Sequence, residues 1–132
     1  MMKMLIKLDE ERVLSDRKYD LADMWRIVDE QFASACTKQV LADGAALYSG
    51  IAEKDYFSCF GIAYIKLSKR EWFARYCSKW IMYDNDDNED LPFQDINVLA
   101  RERERNPIFK DAIKYFKSED DEASAKKRCD IV

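Results

Sequence analysis

A chain of 132 residues, 48% of them hydrophobic and 13% aromatic, is too apolar to remain unfolded and suits one core, which excludes general disorder and two separate domains. Charged residues make up 36% and sum to −4, a balance that opposes general nucleic-acid binding. The apolar runs fall short of the roughly 20 residues a bilayer requires and charge follows Met1 too soon for a signal peptide, so a folded, soluble, cytoplasmic protein is expected.

Lys3 to Leu8 sets Met4, Ile6 and Leu8 against Lys3, Leu5 and Lys7, the period of a half-buried strand. Asp9 to Lys18 reads as a charged connection. Asp20 then caps a helix whose Leu21, Met24, Trp25, Val28 and Phe32 recur at spacings of three and four. Thr37 to Gly50 reads as a β-hairpin turning at Asp43-Gly44. A second helix runs from near Asp55 to about Ser68 and places Phe57, Phe60, Tyr64 and Leu67 on its inner face. Trp72 to Tyr76 extends a helical turn, and a strand follows from about Cys77.

Beyond the acidic run, Gln94 to Arg105 reads as a third helix with Ile96, Leu99 and Val98 inward, stopped by Asn106-Pro107. Within it, the alternating Arg101-Glu102-Arg103-Glu104-Arg105 reads as a solvated face. A further helical turn spans Ile108 to Phe116. The polar stretch 117–132 reads as a disordered charged tail, leaving 1–116 as the domain. The expected order is β-α-β-β-α-β-α, a small α+β domain with a mainly antiparallel sheet and helices on one face.

The chain has no histidine, which removes Ser-His-Asp and Cys-His nucleophiles and histidine-bound zinc. Its three glycines form neither a phosphate loop nor a dinucleotide fingerprint. Cys36, Cys59, Cys77 and Cys129 are irregularly spaced and read as free thiols; the final Cys-Asp-Ile-Val has Asp where a prenylation box prefers an aliphatic residue. No cofactor or metal is expected. Asp84, Asp86 and Asn88 fall at the first, third and fifth places of a calcium loop, but Glu89 takes the place of the glycine and Asp95 that of the bidentate glutamate.

The feature that stands out is Asp84-Asn85-Asp86-Asp87-Asn88-Glu89-Asp90, following Trp80-Ile81-Met82-Tyr83 in a stretch with no basic residue from Trp80 to Ala100. Carboxylates in such a run attract cations and basic surfaces. The expected binding site is therefore Asp84, Asp86, Asp87, Glu89 and Asp90, anchored by Trp80 and Tyr83, on a basic protein that itself binds nucleic acid. The alternative is a nucleic-acid face of Lys66, Lys69, Arg70, Arg75 and Lys79 interleaved with Trp72, Phe73, Tyr76 and Trp80. A carboxylate-dependent enzyme is the third reading, with no catalytic pair identifiable.

Leu5 to Asp16, Asp20 to Trp25, Lys79 to Phe93 and Ala100 to Pro107 together resemble small uncharacterised proteins of mobile elements in gut-associated Firmicutes. The resemblance carries no catalytic motif and implies no established activity. Accessory proteins of that kind include inhibitors of host defence, among them anti-CRISPR proteins, an analogy that favours an inhibitor that works by binding.

Overall fold

The computed structural model describes residues 1–86 and 88–114, and the secondary structure begins with β1 (Met2–Leu8). Its even-numbered side chains Met2, Met4, Ile6 and Leu8 enter the core, while Lys3, Leu5 and Lys7 point to the opposite face. The expected charged connection instead holds α1 (Glu10–Asp16), capped by the Asp9 carboxylate accepting the Arg12 amide N–H at 3.3 Å. Val13 is its one buried residue, too little to produce a readable helical period.

α2 (Leu21–Phe32) forms as expected, with Asp20 accepting the Asp23 amide at 3.2 Å and Met24, Val28 and Phe32 buried. β2 (Cys36–Val40) and β3 (Ala46–Gly50) make the expected hairpin. Gly44, at φ 86°, supplies the left-handed turn position, and Leu41 N–H closes the loop on the Ala45 carbonyl at 2.8 Å.

α3 (Tyr56–Ser68) starts at the Asp55 cap, but its inner stripe is Cys59, Phe60, Ala63 and Leu67. Phe57, expected inward, is 74% exposed, because the small Cys59 and Ala63 set the centre of that stripe and leave Phe57 beyond its edge. α4 (Glu71–Tyr76) leads without a loop into β4 (Cys77–Asp84). β4 bulges at Ser78, since Leu8 faces Cys77 while Lys7 faces Lys79; the Ser78 hydroxyl donates to the Lys7 carbonyl at 3.2 Å.

The expected third helix divides in two. Gln94–Asn97 is a strand, β5, held in register by Met82 opposite Ile96, and only Val98–Arg105 is helical, as α5. Ile96 is thereby exposed while Val98 and Leu99 stay buried. Strand pairing overrides the local helical pattern because β4 offers Gln94–Asn97 an open edge. A last helix, α6, spans residues 107–114 and buries Phe109 and Ala112. Phe116, the tail 117–132 and Cys129 lie outside the described residues.

The sheet has five antiparallel strands in the order β2-β3-β1-β4-β5. The helices pack on the face that carries Met4, Ile6, Tyr48 and Trp80, which confirms the α+β class with more elements than expected. Trp80 sits at the centre of that core, with Phe73 edge-on at 5.0 Å, Tyr64 at 5.5 Å and Phe109 stacked at 6.0 Å. No helix among the described residues is long and apolar enough to cross a membrane.

Candidate functional site

The acidic segment leaves the sheet where β4 ends, beside the start of β1 and the first turn of α3. Asp84 pairs with Met2 and Gln94 in the sheet, and its carboxylate accepts the Asp86 amide at 2.8 Å. Asp86 has a left-handed φ of 55° and is exposed. Asn85 is buried, and its Oδ1 accepts a hydrogen bond from the Met1 ammonium at 2.9 Å. Further bonds run from the Asn88 amide to the Asn85 carbonyl, from the Asp90 amide to the Asn88 side chain and from the Leu91 amide to the Asn88 carbonyl, each at 3.0 Å.

These short-range bonds use the backbone and leave Asp86, Glu89 and Asp90 on the surface. The Met1 ammonium places one positive charge beside a run that carries none in its own sequence. Asp87 lies outside the described residues.

The aromatic anchors differ from those expected. Trp80 is fully buried, donates its indole N–H to the Met4 sulfur at 3.2 Å and offers nothing to a partner. Tyr83 is half-buried on the other face of the sheet, because alternation along β4 sends Trp80 and Tyr83 to opposite sides. There Tyr83 stands beside Lys3 and Asp95 in the strand register and lines a shallow apolar depression with Leu5, Leu41, Leu47 and Phe93.

What lies next to the carboxylates is Phe57. Met2, Tyr56, Phe57, Asp84 and Asp86 together line a shallow depression of about 360 Å³ that mixes apolar and acidic side chains. Leu91 and Phe93 are exposed on the chain that returns to β5. Sequence reasoning missed Phe57 in this role because it was assigned to the inner stripe of α3. No other signal in the sequence connects residue 57 to residue 84, since that neighbourhood depends on the placement of α3 beside β1 and β4.

The basic residues converge only in part. Phe73 and Tyr76 are buried like Trp80, and Trp72 is half-buried with the Arg70 guanidinium 5.8 Å from its ring centre, so no ring platform is open for bases. Lys69 and Arg75 share a depression with the opposing carboxylates Glu71 and Asp111. Lys79 lies across the sheet, where Asp43 approaches Lys79 at 3.5 Å and Lys7 at 3.8 Å. The Ala45 backbone amide, then the two lysines, hold the Asp43 carboxyl below its ordinary value.

Glu102, read as part of a solvated face, is 6% exposed. It accepts from the Tyr64 hydroxyl and, at 2.9 Å, from the Asn106 amide, whose nitrogen also donates to the Ser68 carbonyl at 2.8 Å. This buried group ties α3 to α5. Among the described residues no group of three or more acidic or cysteine side chains is placed to hold a metal ion. Comparison with protein-family profiles, curated proteins and solved structures finds no match for this chain.

Proposed function

We propose that this chain is a non-catalytic interaction protein whose acidic end docks on a basic protein surface. The observation that carries the reading is the exposed Phe57 beside Asp84 and Asp86, an apolar anchor set within carboxylates. Charge steers and orients such an encounter, whereas a buried ring supplies most of the holding energy. An arginine whose stem covers Phe57 while its guanidinium meets Asp84 or Asp86 matches this chemistry. Basic surfaces of that composition are what nucleic-acid-binding proteins present to phosphate, so inhibition of a host defence or regulatory factor of that class is the biological role proposed.

The test is retention of a protein from nuclease-treated lysate by three immobilised chains: the native one, Phe57→Ala, and one with Asp84, Asp86, Glu89 and Asp90 changed to their amides. The native chain is expected to retain a partner that Phe57→Ala binds at least about tenfold more weakly and that the amide chain loses at moderate salt. Equal retention by all three chains would remove the acidic end from consideration.

A further inference from the structure

α3 is apolar on both sides. It buries Cys59, Phe60, Ala63 and Leu67 in the core, yet Phe57, Ile62 and Ile65 stand exposed on the outer side, at 74%, 53% and 51%. From Tyr56 to Ile65 the helix carries no charged side chain, whereas the outward face of a surface helix ordinarily does. Phe57, Gly61 and Ile65 follow at intervals of four and form one row along the helix, with Ile62 beside it. A Cβ on Gly61 would meet nothing within 4 Å, so the middle of the row is open to close approach by another helix. The two ends of the row differ in charge. Glu53, the capping Asp55 and, from the end of β4, Asp84 and Asp86 stand at the first, against Lys54 and the Met1 ammonium. Lys66, Lys69, Arg70 and Arg75 stand at the second, against Glu71 and Asp111.

We propose that the outer side of α3 is the contact of a homodimer, in which a second copy of this chain lays its own α3 antiparallel on it about a twofold axis at Gly61. In that register Phe57 of one copy meets Ile65 of the other, Glu53 meets Lys69, and Lys66 comes beside Asp55. Lys54 falls opposite Ser68, so no like charges face each other. A parallel pairing would instead set Lys66, Lys69 and Asp55 each against itself. One surface therefore carries both halves of its own complement, which is what a contact between identical copies requires. Three apolar side chains per copy make a small interface, so half-dissociation is expected on the order of 10 µM. The dimer and the basic partner proposed above compete for Phe57, but neither proposal rests on the other.

The experiment is sedimentation equilibrium of the full chain from roughly 1 to 500 µM. The native mass is expected to rise from one chain to two, while the doubly substituted chain Ile62→Glu, Ile65→Glu stays at one. Both positions are exposed, so its urea midpoint should match that of the native chain at concentrations where both are monomeric. Lys69→Glu should weaken the dimer about fivefold, and adding Glu53→Lys to that chain should restore it, because the twofold axis sets the two reversed charges opposite each other again. A native chain that stays at one chain's mass, assembly beyond two, a dimer that survives Ile62→Glu, Ile65→Glu, or a double reversal without recovery would each overturn the proposal. Ile62→Glu, Ile65→Glu leaves Phe57, Asp84 and Asp86 in place, so its retention of a basic partner reads the docking proposal separately.

Discussion

Trp80 meets three aromatic rings and the Met4 sulfur with no exposure, so alanine in its place leaves a cavity the surrounding strands cannot close. Trp80→Ala is expected to cost about 3 to 5 kcal/mol in urea unfolding, too much for a residue whose main task is to contact a partner. Tyr48 and Tyr76 face inward with hydroxyls on carboxylates, Tyr48 to Asp29 at 2.5 Å and Tyr76 to Asp16 at 2.8 Å. Burial, followed by those carboxylates, raises both phenols above the usual 10.0, Tyr76 to about 12. The folded chain therefore binds these protons more tightly than the unfolded chain. The resulting stability is complete below about pH 10; the Tyr76 share is lost as pH climbs from about 10 to 12, and the Tyr48 share goes on falling above that window. Urea midpoints should fall over that window, and the fall should be shallower for a Tyr48→Phe, Tyr76→Phe chain. At this scale much was legible: Met4, Ile6, Val28 and Phe32 announced themselves by spacing. The period of two along β4 also carried the opposed directions of Trp80 and Tyr83, although the acidic run beside them drew both into one site.

Elements were legible where a cap and a period coincide. Asp20 before Leu21, Met24 and Val28 marked α2, and Asp55 marked the start of α3. α1 and β5 escaped because each is short and owes its form to neighbours: α1 is tied by Asp9 N–H to the Tyr76 carbonyl at 2.7 Å, and β5 exists through its pairing with β4. The start of α3 is also fixed by Gly50, where a Cβ would lie 2.6 Å from Tyr56 Cγ and 2.9 Å from Tyr56 Cβ. The Tyr56 Cβ is fixed by its backbone and cannot swing away. Gly50→Ala should therefore shift α3 against β3 and cost about 1 to 3 kcal/mol in chemical denaturation. Gly61 is the opposite case, since a Cβ there meets nothing within 4 Å. Gly61→Ala should stabilise the chain by about 0.5 to 1 kcal/mol, read in the same titration.

Across the whole molecule the net charge of −4 is unevenly spread, with carboxylates gathered at the end of the sheet where β4 gives way to β5. Partner affinity at that end should drop several-fold as ionic strength rises from about 0.05 to 0.5 M, while the Phe57 share of the binding persists. The site was only half legible for a reason of scale: a run of carboxylates is visible in one stretch of sequence, but the ring beside it comes from another helix.

The sheet order has a consequence for how the chain is made. β1 lies at the centre, yet it precedes both strands that flank it, with Lys3 opposite Ser49 on one side and Tyr83 on the other. During synthesis the β2-β3 hairpin can form and capture β1 early, but the second flank stays open until Asp84 has emerged. A pause between Gly50 and Cys77 would hold Met4, Ile6 and Leu8 in a strand with one free edge, the moment at which a nascent chain most needs shielding from its neighbours.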